Sequence, residues 1–163
     1  MKNIIFLTFF INFLLLTSCL TAQQQGIVKA YAYYRHSVAG TIPAEDSGKS
    51  INNGIRIQYF IYVETKKEDV PEWDKVTING NSFTFKVQEV RENVVKPGRL
   101  RNDTQEVTIK KKPGNQLWQL LLTPTKMEYS KTVDSIILSG RWKNKAFTYK
   151  IKNVQQLARM NYE

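Results

Sequence analysis

Five carboxylates, Glu64, Glu68, Asp69, Glu72 and Asp74, fall within one stretch of eleven residues. Acids grouped in this way have the ingredients to split a glycosidic bond or to offer oxygens to Ca²⁺. The run lacks the Asp-x-Asp-x-Asp-Gly spacing of a calcium loop, and Lys66, Lys67 and Lys75 partly neutralise it. We read it as a solvated acidic turn and keep a carboxylate-dependent hydrolase as the remote alternative. His36, the only histidine, can be paired on paper with Glu45 or Asp46 and a serine. No Gly-x-Ser-x-Gly elbow supplies the nucleophile context, so a strand-end histidine facing water is the expectation. One cysteine rules out an internal disulfide framework and a Cys-based zinc cage, and one histidine rules out multi-histidine metal sites. No catalytic residue, metal or cofactor is expected.

Gly48-Lys49-Ser50 has the last three residues of a phosphate-binding loop, but the glycine required five positions earlier is Pro43. It is a polar loop. Charge gives the stronger signal. Lys and Arg outnumber Asp and Glu by 24 to 14, a net charge of +10. Residues 26–74 hold six basic and seven acidic groups, whereas residues 75–163 hold seventeen and seven. Lys96, Arg99, Arg101, Lys110, Lys111, Lys112, Lys143 and Lys145 form the candidate patch for an anionic partner, such as lipid headgroups or acidic glycans. Lysines on strand edges also discourage edge-to-edge pairing, which explains the same residues without a ligand. No nucleic-acid-binding motif is visible and none is expected as a partner. Tyr31, Tyr33, Tyr62 and Trp73 are the candidates for an aromatic platform on which sugar rings would stack.

The one cysteine stands at a telling place. Lys2 is followed by the apolar run from Ile4 to Leu16, interrupted only by Thr8 and Asn12. Thirteen residues span about 20 Å as a helix, short of the ~30 Å hydrocarbon core, so the run reads as a signal-peptide h-region. Leu16-Thr17-Ser18-Cys19 then resembles the lipobox of bacterial lipoprotein signal peptides: an aliphatic residue, two small residues and cysteine. The resemblance implies cleavage before Cys19 and acylation of its sulfur and its new amine. An ordinary cut after Ala22 fits less well, because Leu20 would occupy a position that prefers a small side chain. Leu20 in place of Asp after the cysteine implies, by the same resemblance, an outer-membrane destination; secretion is the alternative. Residues 20–26, with Gln23-Gln24-Gln25, are an uncharged tether reaching at most ~25 Å. Asp134-Ser135-Ile136 also resembles the short Asp-Ser/Thr-aliphatic pattern of bacterial O-glycosylation, and a strand start explains it equally.

Around these residues the dominant period is two. Ile55, Ile57, Tyr59, Ile61 and Val63 alternate with Arg56, Gln58, Phe60, Tyr62 and Glu64, which predicts a central strand covered on both faces. Val28, Ala30, Ala32 and Tyr34 predict an earlier one. Asn79-Gly80 predicts a tight hairpin across residues 76–90. A second hairpin turns at Lys143-Asn144-Lys145. Val107 and Ile109 mark a short strand, and a further strand over residues 117–122 follows the Pro113-Gly114-Asn115 turn. Val154, Leu157, Ala158 and Met160 fit one face of a short C-terminal helix. Residues 38–53 and 92–103 read as loops and as the best contact surfaces.

This pattern predicts one all-β domain over residues 27–163. We expect an antiparallel immunoglobulin-like β-sandwich of about seven to eight strands with a short C-terminal helix. A small β-barrel is the alternative. Signal peptide 1–18, acylated Cys19 with its tether and this domain make up the chain. The functional expectation is a membrane-anchored envelope lipoprotein, non-enzymatic, contacting a protein partner or an anionic envelope component. A secreted glycan-binding module is the second reading.

Overall fold

The computed structural model describes residues 26–38, 55–123 and 132–159. The signal segment with Cys19, the Gly48-Lys49-Ser50 loop, most of the 38–53 contact loop and Met160 lie outside the described residues. The chain is all-β. Its strands are β1 (Ile27–Val38), β2 (Ile55–Lys66), β3 (Glu72–Ile78), β4 (Asn81–Val90), β5 (Val94–Arg99), β6 (Glu106–Lys110), β7 (Asn115–Thr123), β8 (Ile136–Trp142), β9 (Lys145–Ile151) and β10 (Val154–Gln156). Among the described residues no helix is long and apolar enough to cross a membrane.

The sequence favours two packed sheets, but hydrogen bonding runs through eight strands in the order β10-β1-β2-β7-β4-β3-β8-β9, and β5-β6 form a separate ribbon. Strand β4 makes the corner: residues 81–83 pair with β3, while residues 84–90 pair with β7. The two ends of this sheet belong to almost the same stretch of chain, since only Lys152 and Asn153 separate β9 from β10. β10 pairs in parallel with β1 at Ala32, Tyr33 and Tyr34, so the sheet rolls nearly into a barrel. The helix expected at the C-terminus is corrected to this short strand. Spacing of Val154, Leu157 and Ala158 is helical, but the open edge of β1 presents N–H and C=O groups that must find partners.

Hairpin turns follow local chemistry. Asn79 and Gly80 have φ of 47° and 85°, and Lys143 and Asn144 have 50° and 62°, the left-handed pair that a two-residue turn matched to strand twist requires. Inside the rolled sheet, Ala32, Tyr34, Ile61, Val63 and Leu120 meet Val76, Ile78, Phe83, Ile136, Leu138, Phe147 and Ile151. A bulge between Ile27 and Lys29 resets the alternation of β1 and leaves Val28 exposed.

The outer face of β2 is also covered, as its two apolar faces predict. Tyr33, Tyr62, Val90, Ile109, Leu117 and Leu157 form a second cluster there. The β5–β6 ribbon, inserted between β4 and β7, folds back over this face. Residues 92–103, expected as a loop, therefore contain β5; Pro97 and Gly98 hid it, since both residues are rare inside strands. Arg35 is buried beneath the ribbon, donates from Nη2 to the Pro97 carbonyl at 2.7 Å and lies 5.0 Å from the Phe60 ring centroid.

Candidate functional site

Antiparallel order sends four connections to one end of the barrel: the start of β1, the turn after β2, the β6–β7 turn with the base of the ribbon, and the β8–β9 turn. Three clefts adjoin there. The first, about 410 Å³, is lined by Gly26, Val28, Lys66, Asp69, Trp142 and Lys143. The second, about 280 Å³, shares Lys66 and Asp69 with it and adds Lys67, Glu68 and the Pro113-Gly114-Asn115 turn. The third, about 470 Å³, shares that turn and adds Asn93, Val94, Lys110, Lys111 and Lys112. Together they make a trough lined by six lysines.

Each wall has a local cause. Glu64 is buried at 1 % exposure on the outer face of β2. Its Oε1 accepts from the Lys112 backbone N–H at 2.9 Å and from Asn115 Nδ2 at 2.6 Å. A single carboxylate thus fixes the turn that carries the lysines, and Glu64 is corrected from a member of a solvated acidic turn. Lys111 Nζ reaches the Val90 carbonyl at 3.4 Å, whereas Lys110, Lys112, Lys66 and Lys67 are exposed. At the other end of the trough, Lys143 pairs with Asp69 at 3.0 Å and stands 4.4 Å from the Trp142 ring centroid. Gly26 has φ +75°, and a Cβ on it would stand 2.5 Å from the Asp69 carbonyl oxygen and 2.7 Å from Trp142 Nε1. Only glycine fits where the chain enters the barrel.

The candidate basic patch is therefore divided. Lys110, Lys111, Lys112, Lys143 and Lys145 gather at the trough end. Lys96 is spent on Glu106 across the ribbon at 2.9 Å. Arg99 lies at the ribbon tip, and Arg101 donates to Gln156 Oε1 at 3.0 Å beside β10. Lys66 and Lys67, which the sequence places with the acids, are the missing links. Their neighbours in sequence are carboxylates, and nothing local shows that the β6–β7 turn lies beside them.

The aromatic platform does not form as one surface. Tyr33 and Tyr62 are 7 % and 4 % exposed, and burial raises the pKa of both phenols, with Tyr31 adding to Tyr33 and Tyr33 adding to Tyr62. Tyr31 packs with them outside the sheet, while Trp73 packs inside against Phe147. The remaining carboxylates are dispersed as well: Glu72 and Asp74 flank Arg141 at 3.7 and 3.9 Å. No cluster of three metal-ligating side chains occurs among the described residues.

His36 departs from its expected place in water. Its Nδ1 lies 3.4 Å from Gln156 Nε2 and its Nε2 is buried with no acceptor among the described residues. Burial, then Arg159 and Arg101, lower its pKa. Ser135 lies just before β8, the strand start that also explained its motif.

Comparison with known families, curated proteins and solved structures gives no match. The site's own chemistry is what remains. A row of ammonium groups with two acids, one of them already paired, attracts anions.

Proposed function

We propose that the chain is a membrane-anchored envelope lipoprotein whose β domain is a non-enzymatic binding module contacting an anionic envelope component or a protein partner. We read its fold as a small, incompletely closed barrel rather than an immunoglobulin-like sandwich. The observation that carries the functional reading is the six-lysine trough at the end where the chain enters from Cys19. The Leu16-Thr17-Ser18-Cys19 motif supports the anchor, and Leu20 supports the outer membrane. The glycan-stacking alternative loses support because Tyr33 and Tyr62 are buried and Trp73 lies on the other side of the sheet from them and Tyr31.

Two measurements test this. Labelling with a fatty-acid analogue should mark the native protein and not Cys19→Ala; label retained in that variant ends the anchor. Extraction in mild detergent should bring a partner or an anionic envelope component along with the tagged protein, and that association should weaken at high salt. A protein that stays alone after crosslinking overturns the binding role.

A further inference from the structure

Three features meet at the trough end. The first is charge: Lys66, Lys67, Lys110, Lys111, Lys112 and Lys143 line the clefts against Glu68 and Asp69, and Lys143 already neutralises Asp69. Lys145 adds to them from the same turn as Lys143. The second is apolar exposure. Of the five large hydrophobic side chains exposed among the described residues, three (Val28, Val70 and Val94) stand at this end. Val28 and Val94 line the trough itself, and Trp142 sits at its rim. Lysines beside exposed aliphatic side chains suit the boundary between headgroups and acyl chains. The third is position: Gly26 forms part of the trough wall, and the residues from 20 to 26 span no more than ~25 Å. At the opposite end, the β3–β4 turn Asn79-Gly80-Asn81 is uncharged and Asp134 stands beside it, its backbone N–H 3.4 Å from Asn79 Oδ1. Lys150 and Lys152 lie towards that end, at the close of β9.

We infer that the trough seats on anionic phospholipid headgroups of the membrane that holds Cys19, so that the barrel stands on its lysine end. This rests on the anchored reading above, and it adds the orientation and the lipid class. A free polyanion would suit the lysines equally, but it gives no reason for the exposed valines or for placing the tether in the same wall.

The test uses the mature lipidated protein with one fluorophore, on Asn93→Cys at the trough or on Asn81→Cys at the far end. Cys19, the only native thiol, is consumed by acylation. The protein is reconstituted into phosphatidylcholine vesicles with or without phosphatidylglycerol, each carrying a headgroup quencher. The Asn93 probe should be quenched only when phosphatidylglycerol is present, and the Asn81 probe should stay bright. Lys66→Gln, Lys67→Gln, Lys110→Gln and Lys112→Gln together should lower the ratio of docked to undocked protein by more than ~100-fold, at about fivefold for each lysine. Circular dichroism should show that this variant keeps its fold, and it should still float with the vesicles. Roughly 1 M salt should mimic the substitutions, because it shortens screening to ~3 Å.

Flotation with a bright Asn93 probe would overturn the docking and leave the anchor intact. Failure to float in either lipid would remove the anchor, and the docking with it. A probe that responds to soluble polyphosphate but not to vesicles would assign the trough to a free polyanion and overturn the proposal.

Discussion

Glu64 shows how one residue can organise a site without touching a ligand. Its carboxylate lies under the β6–β7 turn and takes two donors, the Lys112 N–H and Asn115 Nδ2. Removing the acceptor deprives both half-buried donors of a charged partner, and a hydrogen bond to a charged group is worth about 1.5–3 kcal/mol. Glu64→Ala should therefore destabilise the fold by roughly 2–4 kcal/mol in a urea titration, and Glu64→Gln, which keeps an acceptor, by about 1 kcal/mol. His36 acts through protonation. Its pKa is lowered by burial, then by Arg159 and Arg101, so the unfolded chain binds a proton more readily than the fold does. Stability is then complete above the ordinary histidine pKa and falls as the pH drops through the lower value of the folded state. Urea midpoints measured at about pH 7.5 and about pH 5.5 should differ, with the acidic one lower, and His36→Gln should shrink that difference.

Strands and turns set the positions of these residues. The β3–β4 hairpin depends on Gly80 for its conformation alone, since at φ +85° a Cβ would meet nothing within 4 Å. Gly80→Ala should cost about 1 kcal/mol, the penalty of a left-handed residue, with the sheet unchanged. Gly140 in β8 is different: a Cβ there would collide with the backbone carbonyl of Glu72 in β3. Gly140→Ala must push β8 away from β3, and a loss of about 3 kcal/mol or more is expected, read by thermal unfolding with a changed far-UV spectrum. The contrast separates a glycine kept for its φ from one kept for space.

At the scale of the molecule, two apolar clusters share β1 and β2. Ile61 and Val63 serve the inner one, and Tyr62 serves the outer one from the same strand. Neither cluster can melt without stripping a face from both strands. One cooperative transition is expected, with tryptophan fluorescence and far-UV circular dichroism coinciding in urea. Leu157→Ala, in the outer cluster at 1 % exposure, should shift both signals together, by about 2–5 kcal/mol. Two separated transitions would show that the ribbon folds independently of the barrel.

Local residue order suffices for the all-β class, the doubly covered β2, the two tight turns and the strands that alternate strongly. All of these are written in neighbouring residues: a period of two fixes the faces, and Asn79-Gly80 or Lys143-Asn144 supply left-handed turn conformations within a pair of positions. Tertiary structure decided the rest. β5 carries Pro97 and Gly98 and acquires its strand only against β6, while β10 takes extended form because β1 offers an unpaired edge. Glu64 reads as one of five acids until the β6–β7 turn, some fifty residues on, delivers two N–H donors to it. Lys66 and Lys67 join Lys110–Lys112 only when antiparallel pairing of β2 with β7 brings Lys66 opposite Asn115. Charge acts through space, and no local pattern records which distant turn will share an end of the barrel.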